Sequence, residues 1–217
     1  MERVLCVLIG YVFGLFQTGY IYGKVKKIDI RQHGSGNAGT TNALRVMGKK
    51  AGLITLLGDC IKAILACVVS ALIFKDSELP GKLLALYGGL GAVLGHNFPF
   101  YLKFKGGKGI AATAGILIAF DIRIGLIMLV IFVTTLVVSK YVSLSSMVMM
   151  ASFFAVTVIF GVCGILYEAP AAVLAEAYIL TFVMAVMAFV RHRQNIVRLK
   201  NGNENKFSLK KKAEQTA

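Results

Sequence analysis

The chain has 217 residues, 57% of them hydrophobic, and a formal net charge of +14; its mean hydropathy is +0.75. This composition excludes a soluble globular domain of ordinary kind and places the chain among integral membrane proteins built as one domain. The positive charge is gathered between apolar runs, as membrane orientation requires, so no nucleic-acid partner is expected.

In chain order, Val4–Tyr22, Ala51–Phe74, Leu144–Leu166 and Ala171–Val190 are each apolar and long enough to cross a hydrocarbon core of about 30 Å. The first follows a charged Met1-Glu2-Arg3 start and has no small-residue cleavage site before Gly23, so it reads as a retained helix. Leu83 to Phe100 is a further crossing. Ile110–Ser139 as one straight helix would run about 45 Å, too long for one passage. Asp121 and Arg123 interrupt it, and two helices, Ile110–Phe120 and Ile124–Ser139, put Lys24–Lys50, Lys103–Lys108, Lys140 and Arg191–Lys212 on one inner side.

The expectation is an all-α polytopic membrane protein with seven transmembrane helices, glycine-rich loops at the inner face and the N-terminus outside. Residues 1–205 form the transmembrane domain and 206–217 a polar basic tail, whose Lys210-Lys211-Lys212 run suits lipid headgroups. The two short helices imply that the glycine-rich segment before them dips to membrane depth and lines a wet cavity.

Single residues inside the helices have plain readings. Cys6, Cys60, Cys67 and Cys163 stand singly, which implies neither a metal site nor a disulfide framework. Asp59 and Lys62 lie three apart on one helix and are expected to pair, since unpaired charges in a membrane are costly. Gly88, Gly91 and Gly95 read as a close helix contact.

Three polar clusters fall on the inner side. The first, Ser35 to Arg45, spaces Asn37, Gly39 and Asn42 among small residues and offers amides, neutral donors and a guanidinium to an anion. Gly34-x-Gly36-x-x-Gly39 imitates a dinucleotide fingerprint, but no strand precedes it and Asp59 lies inside a membrane helix. The second runs from Gly95-His96 through Lys105-Gly106-Gly107-Lys108-Gly109, whose glycine amides and lysine can converge on phosphate at a helix N-terminus. No Ser or Thr follows Lys108, so nucleotide hydrolysis is not indicated. Phe98, Phe100 and Tyr101 beside it read as interfacial anchors.

In the third cluster His192, Asn195 and Arg198 recur every three residues and would share a helical face. There a His can accept or relay a proton and an Asn can orient a hydroxyl. Arg191, Arg193 and Lys200 read as a basic flank that stops the last helix. Tyr141-Val142-Ser143 occupies the remaining inner turn, where hydroxyls cap a helix or meet phosphate.

Jointly and in this order, Ser-Gly-Asn-x-Gly-x-x-Asn-x-x-Arg at Ser35–Arg45, Gly-His-x-Phe-Pro through Phe-Lys-Gly-Gly-Lys-Gly at Gly95–Gly109, and His-x-x-Asn-x-x-Arg-x-x-x-Gly-x-Glu at His192–Glu204 resemble the bacterial acyl-phosphate-dependent glycerol-3-phosphate acyltransferases. The resemblance implies acyl transfer from acyl phosphate to the 1-hydroxyl of glycerol 3-phosphate in the inner or plasma membrane, with the site facing the cytoplasm. It implies no cofactor and no metal, because the donor arrives activated, and a soluble or peripheral acyl-phosphate synthase as partner. It assigns Ser35, Arg45, Lys108, His192 and Asn195 to catalysis and Asn37, Gly39, Asn42, His96, Lys105, Gly106, Gly107, Ser143 and Glu204 to substrate binding. The signature of the other acyltransferase class, an Asp five residues after a His, is missing at His33, His96 and His192. The alternative is a small transporter of an anionic phosphorylated metabolite, for which repeated halves are expected; neither the first nor the second cluster recurs.

Overall fold

The structure, a computed structural model, describes residues 1–207, so the Lys210–Lys212 run lies outside the described residues. All regular structure among them is helical: α1 Glu2–Gly14, α2 Thr18–Val25, α3 Thr40–Met47, α4 Lys49–Ile73, α5 Gly81–Asn97, α6 Ile110–Phe120, α7 Ile122–Ser139, α8 Val142–Val162, α9 Ala171–Arg191 and α10 Arg193–Lys200. Five spans are long and apolar enough to cross a membrane: α1 with α2, α4, α7, α8 and α9. Helix α5 has 17 residues and α6 has 11.

Side chains confirm the surrounding medium. Val137 and Val138 on α7 are 70% and 80% exposed, and Leu53, Leu72, Leu126 and Val162 also point outward, a surface that only lipid makes tolerable. The interior is gathered around α5, which packs on α1, α4, α6 and α9.

Small residues set the closest of these contacts. A Cβ on Gly88 would press on Ser70 and Ala66 of α4, while Gly91 and Gly95 lie directly against the Val7 and Tyr11 carbonyls of α1. The expected glycine stripe is thus a helix contact, which brings backbones close enough for dispersion to act without large side chains.

Two breaks shape the fold. Asp121 stands between α6 and α7 and caps the latter by accepting the Arg123 N–H at 3.0 Å. The same carboxylate pairs with Lys82 and Arg123, both at 2.6 Å, so the interruption read from the sequence is a cap tied to α5. The other break, at Leu15–Gln17, divides the expected first helix into α1 and α2. It frees the Gly14 and Phe16 carbonyls, which accept from Lys62 Nζ at 3.3 and 2.6 Å, and Gln17 Nε2 bonds to the Gly14, Gly95 and His96 carbonyls. Insertion of side chains into the helix ladder is the physical cause of such a kink.

Candidate active site

The first polar cluster folds as a loop leading into α3. Gly34 and Gly36 take φ of 62° and 69°, a left-handed backbone that favours glycine. Asn42, 2% exposed, holds the loop from within: its amide nitrogen donates to the Ile30 and His33 carbonyls, both at 3.0 Å, and its oxygen accepts from Ser35 N–H at 2.9 Å. Its side chain shapes the loop, while Ser35 remains exposed. Asn37 Oδ1 accepts from Gly39 N–H at 2.8 Å, leaving its amide nitrogen free to donate. Arg45 projects from α3, exposed and without an acidic partner among the described residues.

The second cluster differs from the expected amide cradle. Gly106 N–H bonds to the Asn97 carbonyl at 3.1 Å and Gly107 N–H to the His96 carbonyl at 3.0 Å, so neither is turned to an anion. These two carbonyls lie at the end of α5, where helical partners run out, and the loop satisfies them. Arg191 grips the other side, donating from Nη2 to the Gly106 and Gly107 carbonyls at 2.9 and 2.8 Å while its guanidinium stacks over Phe98 at 5.4 Å. Glycine is required here by packing: a Cβ on Gly106 would overlap the His96 carbonyl, and one on Gly107 would overlap the His96 ring.

What the loop presents is Lys108, just before Gly109, whose φ is 83°, and the start of α6. Burial, ahead of the surrounding charges, draws its ammonium down to about 8 from the ordinary lysine value. Its Nζ donates to Asn195 Oδ1. Asn195 Nδ2 donates to Glu204 Oε1 at 2.7 Å, and the same carboxylate takes Ser143 Oγ at 3.0 Å and Arg198 Nε at 2.7 Å. Burial opposes ionisation of Glu204, but the bonds from Asn195, Arg198 and Ser143 hold it below the usual carboxylate value.

The third cluster therefore turns a corner at His192, which closes α9 and opens α10. His192 Nδ1 lies 2.8 Å from the Ala188 carbonyl, which places its proton there and leaves Nε2 as an acceptor. Burial, followed by the nearby Lys108 cation, draws the imidazole down to about 4, so the ring is neutral at working pH. After Glu204 the chain continues to Phe207, whose N–H bonds to the Lys140 carbonyl at 2.7 Å.

These segments enclose two cavities. One of about 410 Å³ is lined mainly by polar groups, with Asp29, Arg31, Lys105, Gly106, Arg191 and Arg193 on its wall beside Val190. The other, about 1860 Å³, has Gly39, Asn42, Arg45, His96, Ser143, His192 and Glu204 at its polar part and continues between α4, α6 and α7 over Leu57, Ile61, Ile118, Leu126 and Leu129. Ser35, Asn37, Lys108, Asn195 and Arg198 line both. Among the candidate residues only Gly107 faces neither cavity; it is wedged between His96 and Arg191. Arg191 escaped the sequence reading because a basic flank at a membrane interface explains it equally well; Arg31, on the same wall, donates to both carboxylate oxygens of Asp29 at 3.0 and 2.8 Å. Among the described residues no three His, Cys, Asp or Glu side chains gather as a metal site would require.

Cationic and polar groups around a pocket that runs into a hydrocarbon-lined slot give this integral membrane protein room for a charged head and an apolar chain together. A model of the glycerol-3-phosphate acyltransferase family matches residues 4–202. The glycerol-3-phosphate acyltransferase of Alkaliphilus metalliredigens is 39% identical over 211 residues, covering 97% of this chain and 98% of the relative. That of Bacillus subtilis is 38% identical over 209 residues, covering 95% and 98%. The crystal structure of PlsY (YgiH), an integral membrane glycerol 3-phosphate acyltransferase, superposes in its glycerol 3-phosphate form with a TM-score of 0.80 at 30% identity over 96% of each chain. Its lysphosphatidic acid form gives a TM-score of 0.78. The chain belongs to the glycerol-3-phosphate acyltransferase family.

Proposed function

We propose that this acyltransferase moves a fatty acyl group from acyl phosphate to the 1-hydroxyl of glycerol 3-phosphate, giving lysophosphatidate and inorganic phosphate, the opening step of phospholipid assembly. The observation that carries this reading is the junction of the two cavities. A mainly polar pocket and a polar pocket with a long apolar extension share Ser35, Asn37, Lys108, Asn195 and Arg198, so two phosphate-bearing molecules can meet there with only one requiring room for a chain. The related structure's glycerol 3-phosphate and lysphosphatidic acid forms support a substrate and product of this chemistry.

In the proposed step the glycerol oxygen attacks the acyl carbonyl carbon, the bond from that carbon to the phosphate oxygen breaks, and the departing phosphate takes the hydroxyl proton. Lys108, Arg45, Lys105 and Ser35 neutralise and hold phosphate oxygens. Asn37, Gly39 and Asn42 supply or shape the first loop, and Gly106, Gly107 and His96 seat the second. His192, neutral and with a free Nε2, accepts the hydroxyl hydrogen bond and orients the oxygen, while Asn195 sits beside it and links Lys108 to Glu204 and Ser143. Such direct transfer forms no acyl-enzyme and needs no cofactor or metal.

The topology that suits this chemistry has seven crossings in the bacterial inner or plasma membrane, the N-terminus outside and the site at the cytoplasmic face. Residues 1–205 act as one domain, with 206–217 as a basic tail that meets lipid, and a soluble or peripheral acyl-phosphate synthase supplies the donor. The transporter alternative leaves the family membership unexplained. Purified protein in detergent, given acyl phosphate and labelled glycerol 3-phosphate, is expected to release labelled lysophosphatidate; product appearing only from acyl thioesters would overturn the choice of donor.

A further inference from the structure

Beside the glycine loop, with Asp59 and His96 on the wall of the larger cavity, lies a charged cluster to which the step above gives no substrate contact. Asp59 and Lys62 on α4 and His96 on α5 are at most 4% exposed. Lys62 Nζ stands 2.9 Å from Asp59 Oδ1 and 2.9 Å from His96 Nδ1, and it also meets the Phe16 carbonyl at 2.6 Å and the Gly14 carbonyl at 3.3 Å. Four acceptors around one ammonium fix its place and leave it no alternative partner. Thr18 Oγ1 holds Asp59 Oδ1 from the other side at 3.1 Å. A buried ion pair adds little stability over a well-packed apolar replacement, so this one calls for another reason to exist.

That reason is visible at the far edge of His96. Because Nδ1 accepts from Lys62, the ring proton resides on Nε2, the edge against which Gly107 rests without room for a Cβ. The His96 carbonyl receives both Gly107 N–H at 3.0 Å and Gln17 Nε2 at 3.1 Å. Gly107 is followed directly by Lys108, the cation at the junction of the cavities. Asp59 and Lys62 therefore set the place and tautomer of His96, His96 sets the height of Gly107, and Gly107 sets where Lys108 leaves the loop.

We infer that Asp59, Lys62 and His96 are positioning residues for Lys108, a buried relay of contacts that fixes its ammonium between the two substrates. The inference rests on the reading of Lys108 as a phosphate-binding residue. Its geometry runs from the α1–α2 break through α4 to His96 at the end of α5, and from there to Gly107.

The test is steady-state kinetics on the full chain in detergent, with melting temperature measured on the same samples. Lys62→Met alone strands Asp59 and is expected to lower the melting temperature, whereas Asp59→Asn with Lys62→Met removes both charges and restores it. The double variant should still show KM for at least one phosphate substrate raised about 10-fold or more, with kcat within about 3-fold of the parent. His96→Asn keeps an acceptor for Lys62 but withdraws the edge under Gly107, and should shift KM in the same way; it carries the test if the charge variants fail to fold. Gly88→Ala, which crowds Ser70 and Ala66 away from the loop, should lower the melting temperature without moving KM. Parental KM in both the double variant and His96→Asn, or losses that merely track the folded fraction as in Gly88→Ala, would overturn the relay while leaving the acyltransferase reading intact. A parent protein inactive with acyl phosphate would instead end the donor assignment, and the relay with it.

Discussion

The Lys108 ammonium donates to the amide oxygen of Asn195, joining residues 87 positions apart across the mouth shared by the two cavities. A cation held this way still has protons to donate, and in the proposed step the contact converts loop placement into electrostatic preorganisation for a phosphate.

Removal of either partner is expected to act on turnover more than on folding. Lys108→Ala and Asn195→Ala should each reduce kcat/KM about 100-fold, or roughly 2.7 kcal/mol of transition-state stabilisation. Because the two act as one unit, Lys108→Ala with Asn195→Ala should cost clearly less than the sum, and a double-mutant cycle checks this.

Glu204 gathers Asn195, Arg198 and Ser143 on one carboxylate whose side chain is only 6% exposed. Glu204→Ala leaves Arg198 without its partner and should lower both activity, by about 10-fold or more, and melting temperature. Since the carboxylate is held below its ordinary value, its stabilising contribution is present above that value and fades as pH falls through the lowered one. A pH series of melting curves on parent and variant should therefore converge on the acid side. Truncation after Phe207, by contrast, should leave activity within about 2-fold of the parent, because the anchoring Phe207 and Glu204 contacts remain.

The glycines of the loop can be separated by their neighbours. Gly107→Ala places a methyl group inside the His96 ring and should reduce kcat/KM about 100-fold, whereas Gly81→Ala, with open space around it, should be silent in both kinetics and melting temperature.

The pH dependence of substrate affinity should report Lys108. Burial draws its ammonium down to about 8; the cation is present below that pH and lost above it, so KM for the phosphate it is proposed to hold should rise from pH 8 towards 9.5. His192, near 4, stays neutral across this range and contributes no limb. Lys108→Arg, always charged, should flatten the alkaline limb even if its absolute rate is lower.

Local chemistry made part of this molecule legible in its residues. The Asp121 and Arg123 interruption is a cap whose partners lie two positions apart, and the Gly88, Gly91 and Gly95 stripe needs only helical periodicity to be read. The break at Leu15–Gln17 was hidden because its cause, Lys62, is 46 residues from the Phe16 carbonyl it binds. The glycine amides looked free because nothing local reveals that the last carbonyls of α5 would need them. Arg191 has the composition of a membrane anchor and the geometry of a clamp, a distinction that belongs to tertiary structure.

The proposed convergence of three separated segments on two anionic substrates at the cytoplasmic face is tested most directly by sidedness of labelling. With the four free cysteines replaced by serine, single substitutions Ser35→Cys, Lys105→Cys and Arg193→Cys should react with a membrane-impermeant maleimide only once the cytoplasmic side is opened, and Lys75→Cys and Glu168→Cys should react in intact cells. Labelling of the Ser35 and Arg193 positions from opposite surfaces would contradict the site as described.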